Sequence, residues 1–334
     1  MRNDASPCYS VVIPAPSLHP KPALLADLEA LTRVSLELLI ATGSNPSRQR
    51  NLAVTHACGD WLVFLDSDCR LEGSYLDRIA AHAERGAEVV GGPVLLREPA
   101  TPLEIMFQGL LGHPLLTGAS SSRYRSKGAL RKCDDAELIL CNLAVRRDLF
   151  LKSTGFAERL YPNEENEWLA RLRAQGVDLW HDPDLVVRRP QRKSWPAYVR
   201  MLTGYGRGRT RQFRVSGRWD FARQLPAVVF LAWLALFVLK PRVAIKASLL
   251  TWLGAAGTCK VFSGGSGAQH FSTATALVAP SVPLLYAVGQ VMEFFNRQAP
   301  NSTGKVQVYR WQRPPNALSS LLRPGSRFEK IGGS

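Results

Sequence analysis

Short apolar runs alternate with helix-like segments at the start of this chain, and this alternation restricts its fold more than any other feature. Tyr9–Ile13 is a largely apolar, β-branched run, Leu24–Leu31 has helical spacing, and Leu36–Ile40 is apolar again. Arg48–His56 can continue as a helix, and Trp61–Leu65 forms a third strand with no charged residue. Because strands that alternate with helices pack into a largely parallel sheet, we predict an α/β, Rossmann-like domain.

The pattern continues less regularly up to about residue 176. Ser74–Arg85 and Asn166–Gln175 have helical spacing, whereas Glu88–Val90 and Ile139–Val145 are strand-like. The segment Pro99–Lys132 is rich in Gly, Ser, Pro and Arg and has little periodicity, so we predict a long, partly mobile loop near the site.

Three uncharged apolar segments follow residue 224: Leu225–Leu239 with 15 residues, Ala247–Cys259 with 13 and Phe271–Met292 with 22. A helix that spans a membrane needs about 20 apolar residues, so only the third is long enough alone. We predict two or three membrane segments; buried helices of a soluble domain are the alternative. Basic residues between the first two segments oppose a simple first span that leaves the cytoplasm, so one segment is interfacial or re-entrant.

These changes predict a catalytic domain at residues 1–220, apolar helices at 221–296 and a basic tail at 297–334. The 42 Lys and Arg residues against 27 Asp and Glu give a net charge of +15, which attracts phosphates, nucleic acid or anionic lipid. The segment Arg188–Arg223 holds eleven basic residues and one acid, which suits a membrane surface. The six cysteines form no C-x-x-C pair, so the sequence supports neither a zinc ribbon nor a redox motif. No apolar signal-peptide core precedes Val11. We therefore expect the catalytic domain to lie in the cytoplasm.

Asp66-Ser67-Asp68 directly follows the strand Trp61–Leu65. Ligands of α/β sheets bind at the carboxyl ends of the strands, and paired carboxylates offer hard oxygen ligands to Mg²⁺ or Mn²⁺. A metal held there would bridge a diphosphate. An ordinary Asp-rich turn is the alternative for the tripeptide taken alone.

Seven sequence pieces, in order over some 200 residues, resemble the family 2 glycosyltransferases, which are inverting enzymes with a GT-A fold. They are SVVIPA at 10–15, TGSNPSRQRNLA at 42–53, FLDSDC at 64–69, VGGPV at 90–94, CNLAVRRDLF at 141–150, GFAERLYPNEENEWLARLRAQG at 155–176 and YGRGR at 205–209. With the apolar C-terminal segments, the chain is similar to membrane-associated transferases of bacterial exopolysaccharide assembly, including succinoglycan-type enzymes.

The resemblance implies a role for each matching residue. Asp68 is the expected direct ligand of Mg²⁺ or Mn²⁺, and Asp66 is expected in the metal's surroundings or on the ribose. The donor-binding residues are expected to be Pro14, Ala15, Thr42, Arg50, Asn51, Asp66, Arg207 and Arg209. The acceptor-binding residues are expected to be Gly91, Gly92, Asn142 and Trp168. The register against WLARL puts Glu165 at the position of the catalytic base, with Glu164 as a competitor for that role.

The chain departs from the family pattern at two places. Ala41-Thr42 stands where a pair of Asp residues commonly contacts uracil, so UDP-, GDP- and dTDP-linked donors all stay open. Arg188-Arg189 stands where a His often follows the acidic helix, so a metal there would depend on carboxylate and phosphate oxygens.

The expected activity is transfer of a sugar to a lipid-linked or polysaccharide acceptor at the cytoplasmic face of the plasma membrane, with anionic lipid but no nucleic acid as a partner. A nucleotidyltransferase is a second possibility, but Pro14–Pro22 lacks the Gly-rich loop that such an enzyme carries. A non-catalytic basic scaffold or binding protein is the third, and the carboxylate pair at Asp66 and Asp68 opposes a nucleic-acid partner.

Overall fold

The computed structural model describes residues 8–16, 18, 22–31, 35–218, 220–265, 272–296, 304–311 and 328–334. These residues form two compact units. Unit 1 combines the described parts of 1–95, 126–189 and 300–334, and unit 2 combines 96–125 with the described parts of 190–299. The chain therefore divides differently from the three consecutive domains predicted, because unit 1 is assembled from three separated stretches of sequence.

Unit 1 is built on a mixed sheet. Among the described residues, its strands follow the order β12-β11-β2-β1-β3-β8-β5-β9-β7, and a smaller sheet has the order β4-β10-β6. The strands are β1 (Tyr9–Ala15), β2 (Leu36–Thr42), β3 (Trp61–Leu65), β4 (Arg70–Leu71), β5 (Val89–Gly91), β6 (Val94–Leu96), β7 (Arg131–Lys132), β8 (Asn142–Arg146), β9 (Leu179–His181), β10 (Val187–Arg189), β11 (Gln307–Trp311) and β12 (Phe328–Gly333).

The parallel part of the large sheet lies where the sequence predicted it. Strand β1 pairs in parallel with β2 on one side and β3 on the other, and β5 pairs in parallel with β9. Strand β8 runs antiparallel between β3 and β5, so the sheet is mixed rather than mostly parallel. Buried residues of β1, β2 and β3 alternate between two apolar clusters, one on each face of the sheet.

The helices of unit 1 flank this sheet in the sequence. They are α1 (Pro22–Ala30), α2 (Pro46–Thr55), α3 (Tyr75–Glu84), α6 (Arg147–Lys152) and α7 (Glu164–Ala174). Asn45 caps α2 by accepting a hydrogen bond from the Arg48 amide at 3.1 Å, and a proline occupies the first helical position. This cap starts α2 immediately after the carboxyl end of β2.

The C-terminal residues supply two strands of the sheet. Strand β11 pairs antiparallel with β2, placing Gln307 opposite Thr42, and β12 pairs with β11. The described residues of the predicted basic tail, 304–311 and 328–334, therefore belong to unit 1; residues 297–303 and 312–327 of that tail lie outside the described residues. Val308 and Trp311 are buried against the apolar clusters. Their burial explains why this basic segment folds onto the sheet.

Unit 2 is helical. Its helices are α4 (Pro102–Leu111), α5 (Pro114–Thr117), α8 (Trp195–Ser216), α9 (Phe221–Leu239), α10 (Pro241–Gly265), α11 (Thr273–Val278) and α12 (Ser281–Phe295), with a 3₁₀ turn at Gly118–Tyr124. The long loop predicted for Pro99–Lys132 is thus wrong. Thr101 and Glu104 form a reciprocal capping box that begins α4, and Phe107 and Leu110 are fully buried.

Helices α8 and α12 cross at two glycines. A Cβ at Gly206 would lie 2.0 Å from the Tyr286 carbonyl oxygen, and one at Gly289 would lie 2.1 Å from the Thr203 carbonyl oxygen. Any larger side chain would push the two backbones apart. Small residues at such a crossing allow close helix approach, as is common between membrane helices.

Among the described residues, two stretches have the length and composition to cross a membrane, Phe221–Leu239 and Thr273–Phe295. The first corresponds to the predicted segment Leu225–Leu239 and the second to Phe271–Met292. The predicted segment Ala247–Cys259 lies within α10, which is not one of the two. In α9 and α10 many large apolar side chains are exposed, with Val238 78% and Leu250 72% accessible.

Candidate active site

Asp66 and Asp68 follow β3 at the edge of the sheet where β1 and β2 also end. The register aligns Pro14 with Ala41 and Ala15 with Thr42, so three of the predicted donor-binding residues lie on neighbouring parallel strands at this edge. The carboxyl ends of parallel strands are the usual ligand site of α/β sheets. The structure therefore brings Pro14, Ala15 and Thr42 to the same edge as the aspartates.

Gln49, on α2, ties the ends of β1 and β2 together, which sequence reasoning did not predict. Its Nε2 atom donates to the Ala15 carbonyl oxygen at 2.9 Å and to the Ala41 carbonyl oxygen at 2.5 Å. Gln49 is 2% exposed. It lies in the recognised piece TGSNPSRQRNLA directly before Arg50, but a buried glutamine and a surface glutamine look alike in sequence.

Arg189 binds both aspartates. Its Nη1 lies 2.6 Å from Asp66 Oδ2, and its Nη2 lies 3.4 Å from both Asp68 carboxylate oxygens. The side chains are partly accessible, at 24% for Arg189, 30% for Asp66 and 22% for Asp68. Desolvation lowers the pKa of the Arg189 guanidinium, but the neighbouring acidic groups, with Asp66 first and Asp68 among them, together outweigh it, so this pKa is raised and Arg189 stays charged.

Arg50 links Asp66 to the acidic helix α7. Its Nη2 lies 3.5 Å from Asp66 Oδ1 and its Nη1 lies 3.0 Å from Glu164 Oε1. Arg50 is 5% exposed, and its Nε atom has no hydrogen-bond acceptor among the described residues. A buried guanidinium at this strand edge is a ready partner for an anion. The structure thus brings Arg50 together with Asp66 through contacts that the sequence did not show.

Helix α7 begins with two buried carboxyl groups. Glu164 and Glu165 are 3% and 8% exposed in the first turn, where the helix dipole favours negative charge. The preceding residue, Asn163, has a left-handed backbone with φ of 83°. Burial, reinforced by the charge of Glu165, raises the pKa of Glu164 to about 8, although Arg50 opposes this shift. Glu164 therefore holds a proton more readily than an ordinary carboxylic acid.

We define the carboxylate site as Asp66, Asp68, Glu164 and Glu165 with Arg50 and Arg189. All six residues belong to unit 1.

The Asn51 side chain, which was predicted to bind the donor, is bonded within unit 1. Its Nδ2 atom donates to the Phe156 carbonyl oxygen at 2.8 Å and to Glu158 Oε1 at 3.3 Å, and its Oδ1 accepts from the Phe156 amide at 2.9 Å. Both ends of the amide therefore hold the segment that leads to α7. The donor contact of Asn51 stays a prediction.

Asn142 and Trp168, which were predicted to bind the acceptor, have partners inside the protein, and their acceptor contacts stay a prediction. Both are fully buried. The Asn142 side chain accepts from the Tyr75 hydroxyl at 2.8 Å and donates to the Pro93 and Leu185 carbonyl oxygens. The Trp168 ring packs on phenylalanines, and its Nε1 donates to Ser153 Oγ at 2.9 Å. These groups have their partners inside the core.

Packing requires a glycine at both Gly91 and Gly92, and the acceptor contacts predicted for them stay a prediction. A Cβ at Gly91 would lie 2.8 Å from the Asn142 carbonyl oxygen, and one at Gly92 would lie 2.1 Å from the Leu185 carbonyl oxygen. Both glycines are buried. Neighbouring backbone fills the space that a side chain would need, so small size is the required property.

Arg207 and Arg209 lie on α8 in unit 2, with partners there. Arg207 Nε lies 2.9 Å from Glu293 Oε2, while Arg209 donates to Gln212 Oε1 at 2.7 Å and to the Tyr286 hydroxyl at 3.2 Å. These contacts join α8 to α12. The diphosphate contact expected of the two arginines stays a prediction.

Asp68 has a carboxylate oxygen that is suited to binding a cation. Its Oδ1 is buried and accepts no hydrogen bond from the described residues, and its contact with Arg189 is a long one of 3.4 Å. A carboxylate oxygen left in this state suits Mg²⁺ or Mn²⁺. No cluster of three or more His, Cys, Asp or Glu ligands occurs among the residues that the structure describes. The remaining ligands would be water and phosphate oxygens.

Comparison with known proteins identifies the class. Residues 38–151 match the sequence model of the family described as Glycosyl transferase family 2. The mannosyltransferase PcManGT from Pyrobaculum calidifontis, solved with GDP-Man and Mn²⁺, has a similar structure, with a TM-score of 0.51, 12% identity, and coverage of 88% of this chain and 89% of that one. TarS 1-349 from S. aureus, solved with UDP-GlcNAc, matches at a TM-score of 0.41 and 11% identity over 90% and 96% of the two chains. A search of the curated proteins found no match.

The matched residues contain most of β2, all of β3 and Asp66 to Asp68, whereas Glu164, Glu165 and Arg189 of the carboxylate site lie outside them. Residues 38–151 therefore resemble the family 2 glycosyltransferases, and the chain has the GT-A fold. It is a glycosyltransferase, an enzyme that uses a nucleotide-sugar donor.

Proposed function

We propose that this enzyme inverts the anomeric centre as it moves a sugar from a nucleotide-sugar donor to a lipid-linked or polysaccharide acceptor at the cytoplasmic face of the plasma membrane. One observation carries the proposal. Asp66 and Asp68 meet Arg50, Arg189 and the acidic start of α7 at the ligand-binding edge of the sheet. The resemblance of the sequence to succinoglycan-type transferases suggests that the enzyme acts in exopolysaccharide assembly.

The donor's diphosphate has two kinds of partner in this site. The guanidinium groups of Arg50 and Arg189 can bind phosphate oxygens and stabilise the charge that grows on the leaving nucleoside diphosphate. Asp68, with Asp66, would hold Mg²⁺ or Mn²⁺, and the orphaned Oδ1 of Asp68 supports this choice. When bound, such a metal supplies positive charge to the leaving diphosphate.

Inversion requires a base on the far side of the sugar from the leaving group. We assign this role to Glu165, with Glu164 as the competing residue. Glu164 is held by Arg50 at 3.0 Å, and its pKa is raised to about 8 by burial, so much of it is protonated at neutral pH. A group that is held by a guanidinium and largely protonated suits a positioning role. This leaves Glu165 to take the proton of the acceptor hydroxyl.

The helices α9 and α12 support a membrane location. Phe221–Leu239 and Thr273–Phe295 meet the length and composition of spanning helices, and only 6% of the first is buried within the protein. The eleven basic residues of Arg188–Arg223 precede them and would meet anionic lipid headgroups. A cytoplasmic orientation follows from the preference of basic flanks for that side of the membrane.

The proposal is tested by release of nucleoside diphosphate from a panel of UDP-, GDP- and dTDP-sugars, using membranes that contain the full chain, with Mn²⁺, Mg²⁺ or chelator. We expect metal-dependent release from one class of donor. Release that is equal in empty membranes, or donor binding that is undetectable by titration with every donor, contradicts the proposal.

Two matched variants test the base. Glu165→Gln is expected to keep donor binding and to lose transfer, whereas Glu164→Gln, which keeps an oxygen acceptor for Arg50, is expected to keep donor binding and most of the transfer. Glu158→Gln, which also lies before α7, is the control for general effects on this segment. If Glu164→Gln keeps donor binding and abolishes transfer while Glu165→Gln stays active, the assignment of the base moves by one residue.

A further inference from the structure

Arg189 occupies the space beside the two aspartates from which a metal would bind them. Its guanidinium lies 2.6 Å from Asp66 Oδ2 and 3.4 Å from the two oxygens of Asp68. It also contacts the buried Cys141 Sγ at 3.5 Å, and it lies on β10, which pairs with β4 just after the Asp-Ser-Asp turn. The side chain is thus positioned by the sheet rather than loosely associated.

We propose that Arg189 is a displaceable counter-ion, which occupies the aspartate pair until the metal and the donor diphosphate arrive together. This inference rests on the proposed function, because it requires that Asp66 and Asp68 bind a divalent cation. It adds a positioning residue to that site and explains how metal binding is coupled to donor binding.

Geometry makes the metal and the guanidinium compete. A cation such as Mg²⁺ binds carboxylate oxygens at about 2.0–2.1 Å, and Asp66 Oδ2 already accepts a short hydrogen bond from Arg189. Two positive charges held within a few ångströms of each other also repel strongly in a partly buried site. Arg189 must therefore move away from at least one aspartate when a metal binds.

The diphosphate of the donor is an alternative partner for the Arg189 guanidinium. The two aspartates provide too few ligands for a complete metal shell, and no third acidic, His or Cys ligand joins them among the described residues. The diphosphate can complete the shell and, as an anion, can accept the guanidinium that the aspartates release. Metal alone would then bind weakly, whereas metal and nucleoside diphosphate would bind cooperatively.

The test measures Mn²⁺ binding to the purified, detergent-solubilised full chain by the loss of the free Mn²⁺ signal in electron paramagnetic resonance, with and without UDP, GDP or dTDP. Arg189→Gln removes the competing charge and keeps a polar side chain. We expect this variant to bind Mn²⁺ without nucleotide about tenfold more tightly than the wild type. The gain in Mn²⁺ affinity that the nucleotide produces is expected to shrink.

Arg188→Gln is the matched control on the same strand. Arg188 is directed to Glu72, at 3.4 Å, and should leave Mn²⁺ affinity unchanged. Arg189→Lys keeps one positive charge without the planar fork and is expected to lie between the wild type and Arg189→Gln. It also serves as the second test if Arg189→Gln fails to fold as judged by circular dichroism.

The outcomes separate the two proposals. Arg189 variants that bind Mn²⁺ no more tightly than the wild type, while the wild type does bind it with nucleotide, overturn the counter-ion role and leave the proposed metal site intact. If neither the wild type nor any variant binds Mn²⁺ with any nucleotide, the metal assignment itself fails, and this inference fails with it.

Discussion

Two groups of arginine and acidic side chains among the described residues differ in how completely the oxygens of their acids are hydrogen-bonded. In the carboxylate site, Arg50 and Arg189 are shared by Asp66, Asp68 and Glu164, and one oxygen of Asp68 accepts no hydrogen bond from the part of the chain that the structure describes. In unit 2, three arginines of α8 surround Glu293 of α12, a group that we call the helix-crossing cluster: Arg207, Arg211, Arg214 and Glu293.

Glu293 is fully buried and both its carboxylate oxygens are bonded, by Arg207 at 2.9 Å and by Arg211 at 2.7 and 3.1 Å. Arg214 also donates to the carbonyl oxygens of Glu293, Phe294 and Asn296, which ends α12 with bonded backbone groups. The helix-crossing cluster therefore holds structure. The carboxylate site keeps partly accessible acids with incomplete bonding, which is what a ligand requires.

The largest effect is expected where the bonding is incomplete. Asp68→Ala should reduce sugar transfer by about 10²–10³-fold or more, because it removes a group that acts on the leaving diphosphate. The midpoint of thermal unfolding should change little, since the Asp68 side chain is already 22% accessible and its contact with Arg189 is long.

Transfer is measured as nucleoside diphosphate release, with unfolding followed on the same preparation. Asp184→Ala, whose side chain is 64% exposed, is the control for loss of an acid from unit 1. Transfer at the wild-type rate by Asp68→Ala would show that the carboxylate site does not bind the donor as proposed.

The opposite result is expected for the helix-crossing cluster. Glu293→Ala removes the buried carboxylate from three partly accessible guanidinium groups and should lower the free energy of unfolding by about 1.5–3 kcal/mol. The folded fraction should retain donor binding. Denaturant unfolding in detergent gives the free energy, and Asp220→Ala, which removes a half-exposed acid at the start of α9, is the control.

If Glu293→Ala unfolded at the same denaturant concentration as the wild type and lost only transfer, the structural role of the helix-crossing cluster would be contradicted. Glu293 and its arginines would then belong to the catalytic machinery.

The glycine crossing between α8 and α12 offers a smaller and more local test. Gly206→Ala forces its Cβ against the Tyr286 carbonyl and should destabilise the protein by about 1–3 kcal/mol. Gly204→Ala, two residues earlier on the same helix, has open space around its Cβ and should stabilise the helix by up to about 1 kcal/mol. Thermal unfolding of both variants checks the pair, and equal shifts would argue against close packing at Gly206.

The smallest expected effect is a change in pH dependence. Burial raises the pKa of Glu164 from 4.5 to about 8, so between these values the folded protein holds a proton that the unfolded chain releases. Stability from this group is therefore fully present below pH 4.5 and is lost as the pH rises through 8. In Glu164→Gln this loss disappears, which flattens the profile by at most about 1.4 kcal/mol per pH unit.

The profile is obtained from unfolding at pH 5, 6.5 and 8, with Glu72→Gln as the control because the Glu72 side chain is 51% exposed. Wild-type and Glu164→Gln profiles that run parallel would show that Glu164 does not titrate in this range.

Strand prediction succeeded where burial made the pattern simple. Strand β3 has the predicted bounds Trp61–Leu65, because a strand buried on both faces reads as an unbroken apolar run. Helix α4 was missed since its surroundings are rich in Gly, Ser, Pro and Arg. Its local signal was present nonetheless, as Thr101 and Glu104 have the spacing of a capping box.

The acceptor residues show a different limit. Asn142 and Trp168 stand in family-like pieces, but both are buried with internal partners. An asparagine that binds a ligand and one that bonds to backbone carbonyls have the same letter in the sequence. The distinction depends on which groups lie opposite the side chain. For Asn142 these groups are the Tyr75 hydroxyl and the Leu185 carbonyl oxygen.

By itself, the sequence determined the α/β class, the position of the aspartate pair after a buried strand, the acidic start of α7 and the apolar character of α9 and α12. These properties depend on local periodicity and on which residue types follow one another. Only the tertiary structure decided that Arg189 binds both aspartates, that Arg50 joins Asp66 to Glu164, and that β11 lies beside β2. Except for Arg50 with Asp66, these pairings join residues more than 100 positions apart, and they exist because the folded sheet brings strand ends together that no local pattern connects.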